Sequence, residues 1–253
     1  DEEGVIDIKD IKLLSNKFNT GRHTGPVSFS TTGDTLFFTR IDIIANGGER
    51  TQQAQLYSSI KKNNKWTKVR KLPFSTTESS YAHPAYDIIK NRLYFTSNRA
   101  GGVGKNDIYY SALVNGEWGE PVNVKAVNTS KDEKFPFVIG GNIFYSSDRE
   151  GGQGQMDIYY SSPETTDYPI KLDGINSAYD DFGISILPDL IFLSNSIVLH
   201  FSYSFQSKCF LTIDFATKSI VRCLLFIDFI SHNADLSFSS TKSLASLFFR
   251  DSA

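Results

Sequence analysis

The chain has 253 residues, 40% hydrophobic and 13% aromatic, enough to bury a core within one domain. Its 26 basic residues are offset by 28 acidic ones, so no field of one sign draws it to nucleic acid or to an anionic membrane. Cys209 and Cys223 are too few for a disulfide framework, and polar residues interrupt every apolar run before the roughly 18 residues that a transmembrane helix needs. The sequence opens on Asp1 with neither an initiator methionine nor a signal peptide, as expected of a mature form or an excised fragment.

From the N-terminus, Gly25–Phe29, Asp34–Arg40 and Gln55–Ser59 read as short strands, and Trp66 opens a further one. Ala82–Tyr86 then repeats the leading strand. Asn91–Ser111 follows, and its pattern returns at Gly141–Ser161, displaced by 50 residues without a gap. Lys134–Val138 leads that second copy, and Trp118 stands 52 residues after Trp66. Asn176–Gly183 echoes Asn128–Phe135 and begins a fourth unit. Leu93, Phe95 and Ser97 fall on one face of their strand and Tyr94 and Thr96 on the other. A four-stranded antiparallel sheet recurring every 40 to 50 residues or so predicts an all-β fold, a β-propeller with blades at about 25–74, 80–124 and 134–172 and the start of another at 176.

The composition breaks near residue 190. All 18 glycines and all 8 prolines precede it, and residues 190–253 also lack Glu, Trp and Met. This divergent tail reads either as a closing segment or as the product of a shift in reading frame near Asp189. The second is favoured, because Phe- and Ser-rich sequence without glycine is poorly suited to turns.

The glycine-rich stretches are the most conspicuous candidates: Asn98, Arg99, Gly101, Gly102 and Asp107, with twins Asp148, Arg149, Gly151, Gly152 and Asp157. A phosphate cradle should open a helix, whereas here a strand follows. Calcium on Asp107 or Asp157 stays open. The structural reading gives the glycines positive φ in the loop, with each Asp accepting turn N–H groups or pairing with Arg99 or Arg149. Trp118, like Trp66, is expected to pack within or between blades. The carboxylates Asp132, Glu133, Asp180 and Asp181 stand before the innermost strands. They are expected in loops around a channel mouth, as candidate contacts for a partner, with catalytic use by a carbohydrate-binding or glycosidase propeller as the alternative. The four histidines form no zinc motif, His83 is expected to cap an inner strand, and no nucleophile elbow appears. No cofactor, metal or catalytic residue is expected, and the chain is read as not an enzyme.

Leu93–Arg99 with Gly101 and Gly102, Asp107–Tyr110, Trp118–Val124 and Asp132–Pro136 resemble the WD40-like PD40 repeats, related to those of the periplasmic protein TolB, found in Bacteroidetes outer-membrane proteins of the OmpA family. The likeness covers about residues 11–189. It implies a periplasmic, outer-membrane-associated propeller that scaffolds envelope proteins, in some relatives within type IX secretion. It also implies that peptidoglycan would be reached only through an OmpA-like domain that this sequence does not contain. A regulatory propeller of a larger peptidase is a further alternative.

Overall fold

The computed structural model describes residues 14–18, 22–30, 32–46, 49–165, 168–187, 190–193, 197–204 and 208–213. Residues 1–219 form one unit; a second, 220–253, lies outside the described residues, as does most of the tail in question. Among the described residues every regular element is a strand, and no helix is long and apolar enough to cross a membrane.

Alternating β-branched and aromatic residues, broken by Gly and Asn turns, produce antiparallel ladders. The first sheet holds β1 (Thr24–Phe29), β2 (Thr35–Asn46), β3 (Glu49–Lys62), β4 (Lys65–Trp66) and β5 (Arg70–Lys71). The second holds β6 (Tyr81–Asp87), β7 (Arg92–Ser97), β8 (Asp107–Val114), β9 (Glu117–Trp118) and β10 (Val122–Asn123). The third is β11 (Glu133–Ile139), β12 (Asn142–Ser147), β13 (Asp157–Ser161) and β14 (Ile170–Lys171). A fourth, β15 (Ser185–Leu187), β16 (Leu190–Leu193), β17 (Ile197–Ser204) and β18 (Lys208–Ile213), runs through the composition break in the same antiparallel order.

The 50-residue displacement is visible in the register. Phe95 pairs with Tyr109 as Tyr145 pairs with Tyr159, and in the first sheet Phe38 pairs with Tyr57. The outer edge of the second sheet, residues 117–123, is split into β9 and β10, because Gly119 and Pro121 interrupt the ladder between them.

Alternation gives the first three sheets apolar faces, and stacking buries those that meet at the two boundaries between them. Phe37, Leu56, Leu72 and Phe74 of the first blade meet Tyr81, Leu93, Phe95 and Tyr109 of the second, with Trp118 against Phe37 and Phe74. Tyr94, Ile108, Val124 and Val127 of the second meet Ile143, Tyr145 and Tyr159 of the third. The leading strands β1, β6 and β11 lie side by side. Radial stacking of antiparallel blades with the first strand of each innermost is the β-propeller build. Trp66 packs edge-on against Phe18, so both tryptophans are packing residues.

Each inner strand carries a one-residue bulge. His83 and Phe135 occupy it with φ of 54° and 53°, a conformation costly for bulky residues, and Gly183 takes φ 70° at the matching place in the fourth unit. The aromatic rings stack, His83 on Phe135 at 3.8 Å between centroids and Phe135 on Phe182 at 4.9 Å. His83 therefore sits inside the inner strand, not at its cap. Burial and the nearby Lys134 ammonium lower its pKa from 6.5 to about 4.

Candidate functional site

Two loop types meet where the second and third blades are each followed by the next: the glycine-rich loops 98–106 and 148–156, and the loops 125–132 and 173–180 that carry the chain into the next inner strand. In the glycine-rich loops each conserved feature of the repeat has its own physical cause. Gly101 and Gly151 have φ of 87° and 88°, which side chains rarely adopt. Gly104 and Gly154 lie under the following loop, where a Cβ would stand 1.8 Å from the Lys131 carbonyl oxygen and 1.9 Å from that of Tyr179. At Gly102 and Gly152 a Cβ would collide with the Asp107 and Asp157 carboxylates.

Those carboxylates close the loops. Asp107 accepts the N–H groups of Val103 at 2.6 Å and Gly104 at 2.9 Å, and the Asn123 amide at 2.8 Å. Asp157 accepts those of Gln153 and Gly154 at 2.9 and 3.2 Å. Neither pairs with its loop arginine. Arg99 lies over the Tyr109 ring and donates to the Pro121 carbonyl, while Arg149 lies over Tyr145 and Tyr159 and donates to the Val127 carbonyl. Asn98 accepts the Ser80 N–H and Asp148 the Asp132 N–H, tying each loop to the entry of its own inner strand.

Of the four carboxylates expected in loops facing a partner, Glu133 instead opens β11, and all four are held by contacts within the protein. Asp132 accepts the Asn106 N–H at 3.0 Å and Asp180 the Met156 N–H at 3.1 Å, so each reaches back to the glycine-rich loop of the preceding blade. Burial opposes the charge on Asp132, but the Lys134 ammonium at 2.8 Å and the Asn106 donors outweigh it and hold its pKa below the ordinary value. Glu133 is 0% exposed and accepts from Thr129 N–H and hydroxyl, the Ser147 hydroxyl and Arg149. Asp181 is also buried and accepts from the Ser177 N–H and hydroxyl; burial pushes its pKa up. Asp132 is half-buried, and Asp180 is exposed.

Sequence reasoning did not single out Asn128 and Asn176, although their signal was present in the echoed stretches beginning at these residues. Each side chain brackets the preceding blade, accepting the N–H of Ile108 or Ile158 and donating to the carbonyl of the same residue. Tyr179 was also missed. Its side chain is 79% exposed, yet its N–H is held by the Ser177 hydroxyl and its carbonyl abuts Gly154. Lys131 stands exposed at the matching place one blade earlier. Among the described residues no three His, Cys, Asp or Glu side chains gather as a metal site.

No family model matches the chain, and no curated protein matches it. Solved structures similar to it include a puromycin-hydrolyzing peptidase of Mycobacterium tuberculosis, at 15% identity and TM-score 0.47, over 78% of this chain and 32% of that one. Prolyl endopeptidases match at 19% identity and TM-score 0.43, over 70% of this chain and 25% of theirs. A protein described as a TolB from Agrobacterium tumefaciens matches at 16% identity and TM-score 0.40, over 73% and 71%. The chain thus spans a third or less of the length of the two peptidases. The expectation that the chain is not an enzyme is corrected by these comparisons. The peptidases stand among the similar structures beside a periplasmic gluconolactonase of Pseudomonas aeruginosa and an α-L-arabinofuranosidase of Lactobacillus brevis. Propeller repeats do not mark a chain as non-catalytic, because function lives in the site and not in the fold.

Proposed function

We propose that this chain is a TolB-type propeller of the bacterial cell envelope that binds protein partners through the loops at its blade boundaries. The observation that carries the reading is Tyr179, a large aromatic side chain left 79% exposed on a loop whose backbone is fixed from both sides. A tyrosine held in this way offers apolar area and a hydroxyl at little entropic cost, the profile of an interface anchor. One blade earlier, Val103, 59% exposed on the glycine-rich loop 98–106, and Lys131 present the same kind of surface. In this reading Asp132, Glu133, Asp180 and Asp181 serve binding by holding these loops in place. The resemblance of the repeats to PD40 sequences supports a periplasmic address, association with the outer membrane and partners among envelope or type IX secretion proteins.

The test is affinity capture from envelope extract with the full chain and with Tyr179→Ala, after circular dichroism shows both equally folded. The reading predicts that a specific envelope protein is recovered and that its affinity drops about tenfold or more with the substitution. Undiminished recovery by the Tyr179→Ala chain would overturn it. Glycoside turnover abolished by Asp132→Asn would replace it with a glycosidase reading.

A further inference from the structure

The near-zero net charge of the chain hides a strong local imbalance. Residues 61–71, the end of β3 with β4 and β5, hold six basic residues and no acidic one: Lys61, Lys62, Lys65, Lys68, Arg70 and Lys71. With six of the 26 basic residues placed here, 20 are left against 28 acidic ones elsewhere. Lys61, Lys62, Lys65, Lys68 and Arg70 are exposed, and none of them forms an ion pair among the described residues.

The fold does not ask for these charges, because the second blade builds the same hairpin without them. In both, a two-residue turn takes positive φ at each position, 47° and 61° at Asn63 and Asn64, 52° and 82° at Asn115 and Gly116. Lys61 pairs with Trp66 as Leu113 pairs with Trp118, and Lys62 with Lys65 as Val114 with Glu117. Arg70 and Lys71 pair with Ser58 and Tyr57 as Val122 and Asn123 pair with Tyr110 and Tyr109. The two edges share a backbone and differ in charge. Lys62 and Lys65, directly opposite each other, repel, so the cations work against the blade that carries them.

The register arranges them around a small apolar centre. Ser58, Ile60 and Lys62 alternate onto one face of β3, and pairing adds Lys65 and Arg70 to that face. Ile60 among them is 46% exposed. Lysines outnumber arginine five to one in this stretch. Lysine is a hydrated point charge suited to a diffuse anionic surface, whereas bidentate reading of single phosphates or carboxylates calls for arginine. The hairpin's own aromatic residue, Trp66, is buried against Phe18 and cannot stack on bases.

We infer that this edge is a peripheral binding site for an anionic lipid surface, with Lys61, Lys62, Lys65, Lys68 and Arg70 at the headgroups and Ile60 at their boundary. Attraction summed over several cations binds a bilayer reversibly without a membrane-spanning segment. A glycine-rich loop leads into β8 and the β8–β9 turn leaves it, so the matching turn at Asn63 and Asn64 lies at the opposite end of its blade from the loops assigned to protein partners. The lipid site is therefore independent of the protein-partner reading.

The experiment is cosedimentation of the full chain with vesicles of phosphatidylcholine, alone or with about one-third phosphatidylglycerol. The expected result is binding to the anionic vesicles only, weakened at least about tenfold by Lys62→Glu combined with Lys65→Glu. Lys105→Glu combined with Lys125→Glu, which alters the net charge equally at exposed positions elsewhere, weakens it less than about twofold. Glu at position 65 copies Glu117 of the second blade, and circular dichroism checks that all variants are folded. Tyr179→Ala binds vesicles as the unaltered chain does. Equal binding to neutral vesicles, equal losses from the two double substitutions, or loss with Tyr179→Ala would overturn the lipid site. Release from the vesicles by duplex DNA at equal phosphate concentration would overturn it too, by giving the edge to a soluble polyanion.

Discussion

The first blade and the two that follow solve the same problem with different residues. In all three a tyrosine of the third strand carries a guanidinium over its ring. In the second and third blades Arg99 and Arg149 come from a glycine-rich loop, whereas in the first Arg40 comes from β2 itself and lies 3.6 Å from the Tyr57 centroid. Having no such loop, the first blade extends β2 and β3 into a long hairpin, where Asp42 holds Arg22, Arg40 and the Tyr57 hydroxyl together. The position of Asp107 is taken by Gln55, fully buried, which donates to the Ser79 carbonyl and accepts the Ser75 hydroxyl. The repeat therefore conserves a contact pattern more strictly than it conserves residues. The acidic locks of the later blades are one way of joining neighbours, not the only one.

Substitutions test how far the two solutions differ. The largest effect is expected from Glu133→Ala, which leaves the Arg149 guanidinium beside a buried gap and should cost about 3 to 5 kcal/mol in chemical unfolding. Its counterpart by register in the first blade is Thr24, where alanine should cost under about 1 kcal/mol because that site holds no charge. Gly104→Ala and Gly154→Ala come next. A methyl group must displace a backbone carbonyl of the following loop, for a loss of about 3 kcal/mol at each. Gly33→Ala, in the first blade's turn with nothing within 4 Å and φ of 67°, should cost only about 1 kcal/mol.

The inner strands differ as well, since Pro26 stands where the second blade has His83. The unfolded imidazole takes up its proton near pH 6.5 and the folded one only near pH 4. The unfolded chain thus binds more protons in that window, and stability falls as the pH drops from 6.5 to 4, by up to roughly 3 kcal/mol. His83→Phe, borrowing the residue that Phe135 already places in the same backbone conformation, should flatten that part of the profile; an unchanged profile would assign the pH dependence elsewhere. The smallest effect is expected from Gln55→Ala, which leaves the Ser79 carbonyl and Ser75 hydroxyl without their partner at a cost of about 2 kcal/mol or less.

Much of the fold was legible because a strand period of two and a constant displacement of 50 residues are both visible without coordinates. The glycine-rich loops could be read as loops, since Gly101 and Gly151 need a backbone that only glycine adopts easily. What the sequence hid were contacts between repeats. Gly104 is a glycine because of Lys131, and Asp132 faces back to Asn106, across a boundary that no local pattern marks. Arg40 was equally hidden: it matches Ser97 in the strand alignment and replaces Arg99 only in space. Tyr179 could not be picked out because exposure of one tyrosine among 12 depends on which way its loop turns.

The central claim is that the loop acids act across the blade boundary, and amide hydrogen exchange at Asn106 and Met156 tests it most directly. With Asp132→Ala the account predicts that protection of the Asn106 N–H falls about tenfold or more while that of Met156 is unchanged, and that Asp180→Ala produces the converse. If each substitution leaves its partner amide as protected as before, or exposes both amides alike, the boundary is held by something other than these carboxylates and the account fails.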